Sequence, residues 1–358
     1  MKLLSLFSGI GAFEKALDNI NVEYDLVNYC EIDKYASKAY SAIHNVKESK
    51  NLWDIDNINP KEISKDLDLM TYGFPCQDIS IGGGLRGFEM GSQTRSSLLW
   101  KAMEIVKEVK PKVLVAENVD NLISKKFIGG FRDWLDYMNG LGYDIYFRVL
   151  NSCNFGVPQH RRRVFIVSIL KEHNSGFSFK EGEQKENKLK EILNTNFDEK
   201  YLLNDEYHSR FIKNKKVDWI KDRLPTSGYI KVVGTTQSIT AKGTNSRHWV
   251  HDINHMVGAL SATGYKQPKQ IYLDQPNGEF DFTLRKLTPL EYWKLMGFDD
   301  QDYQRAKKRL EKEIYNGNDM SDTRMYKMAG NSIVVPVLES IFKQLFKGDD
   351  KIGKGNDN

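Results

Sequence analysis

The sequence is poor in the residues that would staple or anchor a fold. Of its 358 residues only Cys30, Cys76 and Cys153 are cysteine. An odd number at wide spacing excludes a disulfide framework and a four-cysteine zinc site, and points to a reducing compartment. No stretch of about 18 apolar residues occurs, which excludes a membrane-spanning helix. The opening residues, Met1 to Gly9, reach glycine too early for the apolar region of a signal peptide. An excess of one charge is also lacking: 52 Lys and Arg stand against 48 Asp and Glu, a net +4. A polyanionic partner is therefore allowed by charge but not demanded by it. No internal repeat is visible, and no metal site is expected. The expectation is a soluble cytoplasmic chain.

Enough apolar material remains for a core, since 40% of the chain is hydrophobic and 28% charged. Short apolar runs bounded by turn residues at 2–7, 25–30, 67–72, 112–116, 144–150 and 164–170 read as buried strands. Helical patterns at 33–43, 97–109 and 130–141 lie between them. Strand and helix thus alternate as in a doubly wound parallel α/β sheet, whose ligands sit at the carboxyl ends of the strands. From 171 to about 200 the chain turns to Lys, Glu and Asn without a period, which marks a boundary. Residues 201–282 carry Gly, Thr, Ser and scattered aromatics, predicting a smaller, irregular, β-containing module. Amphipathic helical patterns at 288–296 and 333–346 are expected to pack back onto the first sheet, and 347–358 to be disordered. The expected division is 1–170, 171–283, 284–346 and a tail.

The first strand runs into Phe7-Ser8-Gly9-Ile10-Gly11, a turn where backbone either approaches a ligand closely or merely reverses tightly. The second ends at Glu31, about 20 residues after the glycines, where an acid binds the two hydroxyls of a ribose or caps the helix near Asp33. Together they suggest an adenosine-bearing cofactor. The third strand runs into Gly73-Phe74-Pro75-Cys76-Gln77-Asp78. A cysteine there is a nucleophile if its pKa is lowered, or otherwise a small buried hydrophobe. The flanks of Cys76 do not look like a strand interior, whereas Cys30 and Cys153 read as buried. A glycine-dense stretch at 80–87 is either a lid or a loose connection. The fourth strand ends in Glu117-Asn118-Val119, and Gln159-His160-Arg161-Arg162-Arg163 leads into the last. Such arginines orient a carboxylate, clamp phosphate or form a solvated rim.

In order and spacing these blocks resemble the DNA cytosine-5 methyltransferases of bacterial and phage type. Further on, Arg285-Lys286-Leu287-Thr288-Pro289 and Gly330-Asn331-Ser332-Ile333-Val334-Val335-Pro336 extend the match. It covers roughly 1–170 and 284–345, and seven ordered blocks are far more specific than a lone glycine fingerprint. The resemblance implies sequence-specific methyl transfer from S-adenosylmethionine to carbon 5 of a cytosine flipped out of double-stranded DNA. It also implies a methyltransferase (Rossmann-like) catalytic and cofactor-binding domain at 1–170, completed by 284–346, with a target-recognition domain at 171–283.

By the same resemblance Cys76 adds to carbon 6 of the ring, and Glu117 hydrogen-bonds nitrogen 3 and the exocyclic amine. Arg163 positions that carboxylate and the base, with Arg161 close to the same site; no side chain is assigned to remove the carbon-5 proton. Phe7 and Ile32 sandwich the adenine, Gly9 and Gly11 bring backbone near the methionine, and Glu31 binds ribose. Asp54 and Ile55 contact adenine, and Pro75, Leu98, Asn331 and Ser332 complete the cofactor pocket. Trp53 departs from the pattern, standing where glycine usually precedes the Asp-Ile pair. Lys101 also departs, standing where an acid is common.

The loop 76–94 would close on the flipped base, with Gln77 and Ser80 against DNA and Ile81 filling the gap in the stack. In the variable module Gln237, Arg247 and Lys266 are candidates for base edges or phosphate, and Ala259 stands where threonine is favoured before Leu260. The resemblance implies a monomer, nucleoid-associated through DNA, with any cognate restriction endonuclease a separate protein. One alternative is a tRNA cytosine-5 methyltransferase, against which the absence of a Cys-Phe-Thr segment counts. Another is a relative that binds DNA without turnover, against which intact Cys76, Glu117 and the arginines count.

Overall fold

The computed structural model describes residues 1–75, 98–183, 187–213, 230–236 and 248–346. The residues Cys76, Gln77, Ser80, Ile81, Gln237 and Arg247, and the tail expected at 347–358, lie outside the described residues. The chain divides into two compact units: Met1–Leu150, Arg162–Gly182 and Val335–Asn358 form one, and Asn151–Arg161 with Glu183–Val334 the other. Residues 151–161 and 284–334 thus group with the second unit, whereas the sequence places them with the catalytic domain.

In chain order the first strands are β1 (Lys2–Leu6), β2 (Asp25–Cys30), β3 (Leu69–Tyr72), β4 (Val113–Val119), β5 (Tyr143–Asn151), β6 (Gln159–His160) and β7 (Arg162–Leu170). All but β6 form one sheet of order β2-β1-β3-β4-β7-β5. β1 is parallel to β2 and β3, and β3 to β4, so the carboxyl ends of β1 to β4 share an edge. β7 departs from the all-parallel expectation and pairs antiparallel with β4. The link 152–161 joins β7 to its other neighbour, β5, and is too short for the crossover a parallel pair needs. The amino end of β7, with Arg162 and Arg163, therefore reaches the same edge.

The helices α1 (Ala12–Asn19), α2 (Lys34–His44), α3 (Leu99–Val109) and α4 (Ile128–Gly140) follow the alternation read from the sequence. Side chains on alternate strand positions, Leu4, Leu6, Met70, Tyr72, Leu114, Ala116, Val164 and Ile166, share one apolar core with buried residues of α3 and α4. At its centre Trp134 packs edge-on to Tyr72, Phe74 and Phe131 and donates Nε1–H to Met103 Sδ at 3.2 Å. The helix Val335–Phe346 returns to this unit, with Phe342 6.4 Å from Phe13 of α1 and Glu339 accepting from Asn19 at 2.7 Å.

The second unit holds β8 (Ile212–Lys213), β9 (Val232–Thr235), β10 (Trp249–Asp252), β11 (Val257–Gly258), β12 (Gln270–Leu273) and β13 (Thr283–Lys286). Its main sheet has the order β13-β12-β10-β9-β8, with β10 and β12 parallel, and β6 pairs with β11. Arg285 and Glu291, 1% and 0% exposed, form a bidentate pair at 2.9 and 2.8 Å. Glu291 also accepts from Thr288 N and Asn194 N, so a desolvated pair finds the extra hydrogen bonds its burial requires. No helix among the described residues is long and apolar enough to cross a membrane.

Trp134→Ala removes a fully enclosed indole, and it is expected to lower unfolding free energy by about 3–5 kcal/mol in urea titrations. A loss under about 1 kcal/mol, below the range for large-to-small core changes, would contradict this packing.

Candidate active site

At the shared edge β1 runs on into Phe7, β2 into Glu31 and β3 into Phe74–Pro75, and β4 ends in Glu117–Val119. The Glu31 carboxylate is built in place, with Oε2 accepting from Gly9 N at 2.8 Å and Oε1 from Asp33 N at 2.7 Å. Its backbone is gripped by Asn51, which accepts from Glu31 N at 3.0 Å and donates to Glu31 O at 2.9 Å. Asn51 also accepts from Trp53 N at 2.8 Å. Nothing in the sequence singled out Asn51; it is one polar residue in an irregular stretch, and only the folded chain sets it against β2.

The two glycines do different work. Gly9 has φ +57°, and a Cβ built on it would meet nothing within 4 Å, so this turn opens onto free space. Gly11, at φ +80°, is crowded instead, because a Cβ there would collide with the His44 imidazole. Its lack of a side chain permits close packing under α2. Phe7 and Trp53 also have positive φ, +52° and +61°. For Trp53 this explains the departure noted above: the position wants glycine, and an indole is held there with local strain.

Ile32 is 68% exposed, an apolar side chain standing free beside Glu31. Asp54 accepts from Asp56 N at 3.1 Å, and Ile55 is a core residue, 5% exposed, so its side chain faces away from solvent. Pro75 is half-buried, and Leu98 packs on the first unit's core. Asn331 is exposed and Ser332 buried, both in the second unit, and Lys266 is exposed at the end of a short helical turn.

Glu117 is 9% exposed, and its Oε1 lies 3.1 Å from Arg163 Nε. Strand register explains the pairing: Arg163 lies opposite Val119, two residues beyond Glu117, so both side chains project from one face within diagonal reach. Asn118, 1% exposed, points the other way and donates to Phe74 O at 3.0 Å, which ties the end of β4 to the segment leading into Cys76.

Arg161, expected beside this carboxylate, does something else. Its side chain is buried in the second unit, and its guanidinium donates to Leu260 O at 2.7 Å and Ser332 O at 2.9 Å, with Gly330 O at 3.4 Å. Gln159, 0% exposed, works alongside by donating to Leu295 O at 2.8 Å and accepting from Leu260 N at 2.9 Å. Gly330 is needed here because a Cβ would run into the Ser261 carbonyl. Both remaining cysteines are inert by environment. Burial, then the charges of Glu31 and Asp54, pushes the Cys30 thiol up to about 12, and burial raises that of Cys153.

Arg161→Met leaves buried carbonyls unpaired and is expected to lower stability by about 2–5 kcal/mol, whereas Arg163→Met costs under about 2 kcal/mol. Denaturant midpoints for the two variants check the order. In folded protein at pH 8, Cys30 and Cys153 are expected to resist iodoacetamide and to react only in urea; peptide mass spectrometry reads this out, and rapid native labelling of either would contradict it.

A family model of C-5 cytosine-specific DNA methylase matches residues 1–347. The Type II methyltransferase M2.ScrFI of Lactococcus lactis subsp. cremoris is 35% identical over 92% of this chain and 81% of its own length. The orphan methyltransferase M.SPRI of Bacillus phage SPR is 30% identical over 96% and 97%. Among solved structures the S. pombe Dnmt2 methyltransferase aligns with a TM-score of 0.66 over 97% of this chain and 98% of its own, at 19% identity, a likeness of fold. With the edge, the acidic grip and the matched length together, the chain belongs to the C-5 cytosine-specific DNA methylases, which use S-adenosylmethionine to methylate carbon 5 of cytosine in DNA.

Proposed function

We propose that the carboxyl edge of the first sheet is the methyltransferase active site, with Cys76 as nucleophile, Glu117 as the carboxyl group that holds the cytosine ring, and Arg163 as the cation that orients it. The observation that carries this reading is the Glu117–Arg163 pair, a nearly dry carboxylate with a guanidinium 3.1 Å away at the end of β4. Carbon 5 of cytosine is a poor nucleophile. Addition of the Cys76 thiolate at carbon 6 turns the ring into an enamine whose carbon 5 is nucleophilic. Glu117 accepts from the exocyclic amine and shares a proton with nitrogen 3, which stabilises that enamine. Loss of the carbon-5 proton then lets the Cys76 sulfur leave.

The cofactor end fits an adenosine. Gly9 opens onto free space, Glu31 follows β2 where an acid holds a ribose diol, and Phe7 and exposed Ile32 offer apolar surface for the adenine. S-adenosylmethionine, when bound, supplies an electrophilic methyl group. Asp54, Pro75 and Leu98 line the same side in this reading, and Asn331 and Ser332 are kept as cofactor residues. Arg161 becomes a positioning residue that holds the loop at Leu260. Target recognition is assigned to the second unit, with Lys266 on its exposed surface. Because a thiol cannot reach carbon 6 inside a duplex, the cytosine leaves the stack at a cost of about a few kcal/mol.

Base-resolution mapping of 5-methylcytosine in DNA from methylation-free cells expressing the chain is expected to show one short motif. Cys76→Ser abolishes the signal, and Glu117→Gln lowers the single-turnover rate about 100-fold or more. Retained methylation in Cys76→Ser would refute the nucleophile. Label appearing in tRNA but not in DNA would refute the substrate.

A further inference from the structure

We propose that Lys269 and His251 of the second unit form a seat for one backbone phosphate of duplex DNA, at the neck of the loop between β11 and β12; this rests on the reading that DNA binds through this unit. Gly258 ends β11 and Lys269 precedes β12, so the loop 259–268 leaves and returns at one point. A Cβ built on Gly258 would lie 3.9 Å from Lys269 Nζ. The root of the lysine is fixed, since its backbone N donates to the Tyr292 hydroxyl at 2.8 Å and its carbonyl accepts from Leu287 N at 2.8 Å. On β10, His251 lies level with Ile271 of parallel β12, and strand alternation puts Lys269 on the same face two residues earlier.

His251 lacks what its chemistry asks for, and Lys269 stands half-buried next to it in the strand register. The His251 ring is 1% exposed, and among the described residues neither ring nitrogen has a hydrogen-bond partner. Burial, and then the Lys269 charge, lowers its pKa to about 3, so it is neutral and carries one N–H donor. Burial alone lowers Lys269 to about 8, with no acid among the described residues opposing it. The carboxylate on β10, Asp252, is already taken by Lys231 at 3.1 Å and His255 at 3.3 Å. An ammonium that burial disfavours, beside an unanswered N–H with no acceptor among the described residues, matches an anionic oxygen arriving from outside. The adjoining residues 259–265 are those the sequence marks for target recognition. A phosphate held at their neck would fix the loop's register on the duplex without reading a base.

The test is the affinity of the full chain for duplex oligonucleotides, by fluorescence anisotropy over a range of salt, for wild type, Lys269→Met and His251→Leu. Lys269→Met is expected to flatten the slope of log K against log salt by about 0.9 and to weaken binding equally on target and scrambled duplexes. His251→Leu is expected to weaken both duplexes while raising the melting temperature of the free protein. An unchanged slope in Lys269→Met overturns the seat, and a loss confined to one duplex replaces it with a base contact. A wild type that binds no duplex overturns the DNA reading itself, and the seat with it, before any variant is compared.

Discussion

The antiparallel register of β4 with β7 is the constraint on which the site depends. It sets Arg163 opposite Val119 and so within diagonal reach of Glu117, 3.1 Å away. A one-residue slip would turn one of the two side chains to the opposite face and leave a nearly buried carboxylate without its cation. The register is pinned from both sides, because β4 is also the parallel neighbour of β3 and every residue of β4 is buried. The apolar core thus fixes the geometry of the charged pair.

The second unit relies on buried charge in another way. Arg161 and Gln159 use donors on backbone carbonyls of distant segments, and Arg285 with Glu291 closes a bidentate ion pair under the helix that begins at Pro289. Irregular chain leaves many peptide groups without ladder partners, and long polar side chains replace the missing ladders. The His251 ring differs, since neither of its nitrogens has a partner among the described residues, and the proposed phosphate seat rests on that.

Much of the first unit was legible before folding. Apolar runs of strand length, separated by helical periods, fixed six strands and four helices to within a few residues, and the motif at each strand end fell on the carboxyl edge. The direction of β7 was less legible, although the short link before it carried the clue. The packing partners of Gly11 and Arg161 were not legible for a shared reason. A glycine or an arginine in a motif serves a ligand or a neighbour equally well, and the choice lies in what sits beside it: His44 in one case, three carbonyls in the other.

By itself the sequence determined the residue types, their order and the alternation that makes a parallel-rich sheet, because hydrophobic period and turn chemistry act over a few neighbours. Only the tertiary structure decided which polar groups meet. Glu117 with Arg163, Asn118 with Phe74, Asn51 with Glu31 and Arg161 with the 260 and 332 carbonyls are encounters across 20 to 171 positions of chain. The physical reason is that hydrogen bonds need placement to within a few tenths of an ångström, and that precision exists only once the core has packed.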